Sequence, residues 1–173
     1  YLKLTTFYLF FGISVCLSQT NGPVFNLDSW NPEEERPYSL NGQWYFTWNK
    51  FIDPSSIKSK EDIPSNAIKV KIPKRWVELK NKYPSMGKAT YMAVLENIPS
   101  DRPLIFKIKQ PYLAFKAYFV QEGKIKGVWR NGQIKTESKD EIPGYYLSFK
   151  TIQFSKGKVF LIIHLTNQLL HTG

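Results

Sequence analysis

The stretch from Gly42 to Asn49 constrains the fold more than any other part of the chain. It reads GQWYFTWN, begins on the glycine of an Asn-Gly turn, and places Trp44, Phe46 and Trp48 at every second position. Side chains alternate between the two faces of a β-strand, so a period of two indicates a strand with one buried face. We therefore predict that the three rings enter one core. The intervening side chains are predicted to be more exposed: Tyr45, Thr47 and Asn49.

Further segments carry strand patterns, and Gly- and Pro-containing turns separate them. They are Ala67–Ile72, Ala89–Glu96, Leu104–Lys109, Ala114–Val120, a hairpin through Gly123 to Val128, Tyr145–Phe154 and Lys158–Leu165. Aromatic residues make up 16% of the chain, which is typical of β-rich proteins. No segment shows sustained helical periodicity. The sequence thus predicts an all-β protein, a β-sandwich of about eight strands.

The first 18 residues differ from the rest of the chain. Lys3 is followed by an uncharged apolar run that ends in Cys16-Leu17-Ser18, which is the pattern of a signal peptide with cleavage after Ser18. The run is short for a membrane span, which needs about 20 apolar residues. A hydrophobic strand and a lipoprotein anchored through Cys16 are the alternatives. We expect residues 1–18 to be a signal peptide, 19–37 a polar linker, and 38–173 a ligand-binding β-sandwich at the periplasmic or extracellular face of a bacterial membrane.

Cysteine and charge limit the function further. Cys16 is the single cysteine, so the mature protein would contain neither disulfides nor thiolate metal sites. The net charge of +10 first suggests nucleic-acid binding. However, many lysines alternate with apolar residues, as on the solvated face of a strand, and an exported protein rarely meets nucleic acid. An anionic ligand or a membrane surface is the remaining alternative to simple solvation.

Motifs for catalysis are sparse. His164 and His171 are seven positions apart, which places them on opposite faces of a strand and does not make a metal pair. The sequence contains no phosphate-binding glycine loop and no serine nucleophile elbow. The acidic residues fall mostly in linkers and turns, where a glycosidase pair of carboxylates would not be evident from sequence. We predict a non-enzymatic region without cofactor or metal.

Five landmarks follow one another in a recognisable order: SLNGQWYFTW, IPKRW, GKATY, AYFVQEGK and LTN. Together they resemble the jelly-roll, galactose-binding-like sensor domain of bacterial receptors that carry seven transmembrane helices and diverse intracellular signalling modules. The same landmarks are similar to those of the sugar-binding domain of β-galactosidases and β-glucuronidases. The resemblance covers Tyr38 to Asn167 and implies a jelly-roll sandwich that binds a small ligand.

The matching positions extend along the whole of that region. They are Gly42, Trp44, Phe46, Trp48, Pro73, Trp76, Gly87, Ala89, Thr90, Tyr91, Tyr118, Val120 and Asn167. Two departures concern positions near the expected ligand. Lys74 and Arg75 replace the family's Gly-Ser pair, and residues 168–170 replace its aromatic and histidine residues.

These positions suggest a ligand site. Trp76 would offer a stacking plane, Lys74 and Arg75 would donate charge-assisted hydrogen bonds, and Tyr112 and Asn167 would add polar contacts. The alternative is that Trp76 caps the core of the sandwich and that the cations are only solvated. Trp129 is a further aromatic residue beside a predicted turn. Because cations dominate, we expect an acidic saccharide or another carboxylate ligand rather than a neutral one.

Three functions remain open from the sequence. The first is the extracytoplasmic sensor domain of a signal-transduction receptor, continuing beyond Gly173 into membrane helices and a cyclase, kinase or phosphatase. The second is the non-catalytic sugar-binding domain of an exported glycoside hydrolase. The third is a structural sandwich without a ligand. The expectation is a fragment of a receptor rather than a solitary secreted domain.

Overall fold

The computed structural model describes residues 22–31, 37–79, 81, 83–108, 113–134, 142–144 and 148–167. These residues form nine β-strands and three one-turn 3-10 helices. The strands are β1 (Val24–Asn26), β2 (Gly42–Trp48), β3 (Ile68–Ile72), β4 (Gly87–Glu96), β5 (Leu104–Ile108), β6 (Ala114–Gln121), β7 (Lys124–Asn131), β8 (Ser148–Ile152) and β9 (Val159–Asn167). The 3-10 helices are Pro54–Ser56, Lys60–Asp62 and Trp76–Glu78.

Seven of the strands form one large sheet with the order β3-β2-β4-β9-β6-β7, and β1 joins it beside β4. All pairs in this sheet are antiparallel except β1–β4. The remaining strands, β5 and β8, form a two-stranded antiparallel sheet. Phe106 of the small sheet packs on Phe119 of the large one, with ring centroids 4.5 Å apart. The predicted all-β sandwich is confirmed.

The inner face of the large sheet, which faces the small sheet, carries the aromatic core. Trp44 and Phe46 of β2 are buried in it, and the partly buried Trp48 packs at its border. The Trp44 indole N–H donates to the carbonyl of Leu40 at 2.9 Å, which satisfies its one polar atom. The prediction that these three rings share one face is confirmed.

The outer face of the large sheet is covered by the segment from Asn49 to Ala67. Ile52 and Ile57 of this segment pack on Met92 and Ile162 of the central strands. Because this cover extends over β2, Thr47 is only 5% exposed, and its predicted exposure is wrong. Period-two alternation identifies one buried face but does not show whether another segment covers the second.

Most predicted strands are present with ends shifted by a few residues, and one strand was missed. Residues 19–37 were expected to be a linker, but Val24–Asn26 pairs with β4 through Val24↔Val94 to Asn26↔Glu96. Strand β2 pairs with β4 only as far as Met92, so the same edge of β4 is open for β1 beyond that point. The linker interpretation is therefore wrong for this stretch. The predicted signal peptide at residues 1–18 lies outside the described residues.

Candidate ligand groove

A groove runs between β3 and the segment that follows it. Within the described part of the chain, β3 pairs with β2 alone and is therefore an edge strand. The chain then turns through the 3-10 helix Trp76–Glu78 and passes alongside this edge. The groove has a volume of about 420 Å³ and is lined by Ile68, Lys69, Val70, Lys71, Lys74, Glu78, Leu79 and Asn81.

The lining is positively charged. Lys69, Lys71 and Lys74 are exposed and contribute three ammonium groups, whereas Glu78 is the single carboxylate in the lining. The hydrogen bonds from the Arg75 side chain and backbone lower the pKa of Glu78, so it is ionised at neutral pH. Aliphatic side chains form the apolar part of the lining: Ile68, Val70 and Leu79. The groove thus combines an apolar surface with an excess of cations.

Arg75, a predicted ligand residue, is paired within its own turn. Its Nε donates to Glu78 Oε1 at 2.8 Å, and its backbone N–H donates to Glu78 Oε2 at 3.1 Å. Arg75 is thus bound to Glu78 of the short helix. Of the two neighbouring cations Lys74 and Arg75, only Lys74 lines the groove. The pairing also brings the Glu78 carboxylate to the lining.

Trp76 does not present a stacking plane to solvent. Its side chain is only 2% exposed, and its Nε1–H donates to the hydroxyl of Tyr91 at 2.7 Å. It makes an edge contact with Trp48, with ring centroids 4.8 Å apart. Burial raises the pKa of Tyr91, although the hydrogen bond from Trp76 opposes the change. The stacking role is therefore corrected: Trp76 anchors the wall of the groove in the core, because an apolar ring with one satisfied N–H favours burial.

The other predicted ligand residues lie away from the groove or outside the described residues. Asn167 is fully buried, and its side-chain amide donates to the carbonyl of Ser85 at 2.7 Å, which fixes the loop before β4. It does not line the groove. Tyr112 lies outside the described residues. Trp129, expected beside a turn, is a buried residue of β7.

Sequence analysis missed most of the groove. Lys69 and Lys71 alternate with apolar residues in IKVKI and were interpreted as a solvated strand face. They are exposed as expected, but they also line the groove because β3 lies at the sheet edge. The sequence does place Lys69, Lys71 and Lys74 close together. This spacing predicts a shared cationic lining only when β3 is known to be an edge strand.

Hydrogen bonds lower the pKa of three exposed carboxyl groups, those of Asp53, Asp62 and Asp101. His164 is buried, and burial lowers its pKa even though its hydrogen bond to the Ile52 carbonyl acts in the opposite direction.

The described residues contain no group of three His, Cys, Asp or Glu side chains placed to hold a metal. Over the same residues, no helix has the length and apolar character needed to cross a bilayer.

Comparison with known proteins gives likenesses of fold only. No protein-family model matches the chain, and no curated protein sequence matches it. Among solved structures, a β-glucuronidase from Ruminococcus gnavus aligns with 75% of this chain at 13% identity and a TM-score of 0.48. A β-glucuronidase from an uncultured Clostridium species aligns with 73% of the chain at 13% identity and a TM-score of 0.46. The chain spans about a fifth of these proteins, 21% of each.

Proposed function

We propose that this β-sandwich is a non-catalytic binding domain whose groove beside β3 takes a small carboxylate-bearing ligand, with an acidic saccharide as the preferred class. The observation that carries the proposal is the lining by Lys69, Lys71 and Lys74 against the single carboxylate of Glu78. A carboxylate placed between ammonium groups accepts charge-assisted hydrogen bonds, which are stronger than neutral ones.

The remaining groups of the groove suit a sugar ring. Ile68 is partly exposed and gives an apolar contact for the C–H face of a ring, whereas Val70 and Leu79 of the lining are buried. Glu78 and Asn81 offer acceptors for hydroxyl groups, and Asn81 offers a donor as well. A ligand with one carboxylate and several hydroxyls therefore uses every kind of group in the lining.

The wider role follows from the sequence landmarks. We place the domain outside the bacterial membrane, as the sensor of a signal-transduction receptor that converts binding into a shift between two receptor states. The alternative is a sugar-binding domain of an exported glycoside hydrolase, and it rests on the same landmarks. Trp44, Phe46 and Trp76 are buried core residues, so they do not distinguish between the two functions. Transmembrane spans encoded beyond Gly173 would support the receptor, and a barrel with paired carboxylates would support the hydrolase.

Calorimetry of the full chain tests the groove. We expect glucuronate or galacturonate oligosaccharides to bind and neutral counterparts to bind more weakly. The double variant Lys71→Gln/Lys74→Gln should weaken binding at least about tenfold, because each charge-assisted contact contributes about 1.5–3 kcal/mol. Lys156→Gln, which removes an exposed cation from the turn before β9, is the matched control. Equal affinities for all three proteins would refute the groove as the site, and an absence of binding throughout would favour a structural sandwich.

Export is tested separately. N-terminal sequencing of secreted or periplasmic protein should give a start near Gln19, because the uncharged run ends in Cys16-Leu17-Ser18. Material that starts upstream of Phe7 would contradict the predicted cleavage.

A further inference from the structure

A second cationic surface lies on the outer face of the large sheet, at the end formed by β6, β7 and β9. Lys116 of β6 is directly opposite Arg130 of β7 on one side and His164 of β9 on the other. Residues directly opposite each other in antiparallel strands share a face, with Cβ atoms about 4.5–5.5 Å apart. Three basic side chains therefore form one row across three neighbouring strands.

The Lys116–Arg130 pair is unfavourable by itself. Like charges directly opposite each other destabilise a sheet. Among the residues that the structure describes, neither side chain forms an ion pair with an acidic group. The ionised carboxylate of Asp53 accepts hydrogen bonds from Ser55, raises the pKa of His164 and offsets part of the positive charge at that end of the row. Among the described residues, the Lys116–Arg130 pair itself is thus without a direct acidic partner.

Aromatic rings contact the cations of this surface. Lys116 Nζ lies 4.8 Å from the centroid of the Tyr118 ring, and Lys88 Nζ lies 5.5 Å from that of Phe51. Phe51 in turn stacks on His164, with centroids 4.6 Å apart and 14° between the planes. The His164 Nε2–H donates to the Ile52 carbonyl at 2.8 Å. The ammonium groups of Lys88 and Lys116 consequently lie over the Phe51 and Tyr118 rings rather than extending freely into solvent.

We propose that the Lys116–Arg130 pair binds a phosphate or sulfate group of a ligand, with Lys88 available to a second anionic group on the same ligand. A guanidinium donates two parallel N–H bonds to such a group, and the ammonium of Lys116 donates a third. The bound anion would reduce the repulsion between Lys116 and Arg130 that the free protein retains. This site is independent of the groove beside β3, whose core-facing residues Val70 and Leu79 belong to the inner-face cluster.

NMR titration of the full chain with inorganic phosphate and with sulfate tests the site. Chloride is used to keep the ionic strength constant. We expect saturable shifts at the Arg130 Nε–H and at the backbone amides of Lys116 and His164. Arg130→Gln and Lys116→Gln should each raise the Kd about tenfold, while Lys156→Gln leaves it unchanged. Shifts that do not saturate, or that Lys156→Gln reduces as much as Arg130→Gln does, would overturn the proposal.

Thermal unfolding adds a readout that separates a binding role from a structural one. Relief of the like-charge pair in Arg130→Gln should raise the Tm of the free protein by about 1–3 °C. Phosphate should raise the Tm of the wild type, because a ligand that binds only the folded state stabilises it, but it should have little effect on Arg130→Gln. A lower Tm for Arg130→Gln, together with an unchanged response to phosphate, would refute the site.

The source of the group is distinguished by three probes. These are a phosphorylated monosaccharide, a sulfated disaccharide, and phosphatidylglycerol vesicles compared with phosphatidylcholine vesicles. Binding of any probe that requires Arg130 supports the site and identifies the class of ligand. If all probes bind Arg130→Gln as they bind the wild type, the proposal is wrong.

Discussion

The two faces of the large sheet are held by different means. On the inner face, Trp44 and Phe46 pack among other rings, and the Phe46 centroid lies 5.0 Å from that of Tyr91. On the outer face, the cover from Asn49 to Ala67 packs through a smaller aliphatic cluster and is fixed by polar contacts. Thr90 Oγ1 accepts from the Ile52 N–H at 3.1 Å and donates to the Lys50 carbonyl at 2.7 Å.

The two faces therefore differ in how much they contribute to stability and in how easily they open. Burial of large rings contributes much free energy and tolerates no gaps, so the inner face fixes the fold. A cover held by a few hydrogen bonds opens at a lower cost than a packed core. Both proposed ligand surfaces lie outside the ring-packed interior, one at the β3 edge and one beside the cover.

The largest expected effect is the loss of a ring from the inner face. Trp44→Ala should lower the free energy of unfolding by about 3–5 kcal/mol, because it leaves a large cavity in the packed core. Tyr45→Ala, one position away on the outer face and partly exposed, should cost clearly less. Urea denaturation of both variants measures the comparison, and equal losses would contradict the assigned difference between the faces.

A second effect concerns the border of the aromatic core. Gly87 has a φ of +154°, and a Cβ added there would lie 2.6 Å from the Trp48 ring. Gly87→Ala should therefore destabilise the protein through overpacking, about 1–3 kcal/mol, and through backbone strain of similar size. In the double variant Gly87→Ala/Trp48→Leu, the steric part should be relieved, so that the two changes are non-additive in chemical denaturation. Strict additivity would show that the ring is not the obstacle.

The third prediction isolates the polar contacts of the outer face. Thr90→Val should cost about 1–3 kcal/mol, because it leaves the buried Ile52 N–H without its acceptor. Thr47→Val is the matched control, since Thr47 pairs with Thr90 across β2 and β4. Its Oγ1 is buried and has no hydrogen-bond partner among the described residues, so its loss should be neutral or stabilising. A larger cost for Thr47→Val than for Thr90→Val would reverse this account of the cover.

The inner face was largely predictable from sequence, for a physical reason. Alternation in GQWYFTW and IKVKI reports which residues face a core, and both patterns hold in the structure through Trp44, Phe46 and Val70. The outer cover was not predictable, because it depends on contacts between distant residues such as His164 and Ile52. The same applies to β1, whose place was set by the free edge of β4.

The candidate site was predictable only in part. Lys74 was identified from the motif around Trp76, and the structure places it in the groove lining. Trp76 itself was assigned to the ligand, because a sequence does not show whether an aromatic residue in a turn points outward or inward. Lys69 and Lys71 required knowledge of the sheet order, which local patterns do not contain.

The smallest expected effect is a pH dependence from His164, which contacts the outer cover through Ile52. Burial lowers its pKa, the Ile52 hydrogen bond opposes this, Lys116 lowers the pKa further and Asp53 raises it slightly. The unfolded chain therefore binds the proton at a higher pH than the folded chain. Stability should be constant above the ordinary histidine pKa of about 6.5 and should fall as the pH drops below it, until the folded protein is also protonated.

One linked proton limits this slope to about 1.4 kcal/mol per pH unit. The effect is measured by urea denaturation at a series of pH values. These run from about pH 7.5 to about pH 5 in steps of roughly half a unit, across the ordinary histidine range. His164→Gln removes the titrating ring while keeping a side-chain donor that can reach toward the Ile52 carbonyl, so its profile should be flatter than that of the wild type over this range. Stability that rises on acidification in the wild type, or a decline that is unchanged in His164→Gln, would assign the pH dependence to other groups and leave the outer cover held by Thr90 and packing alone.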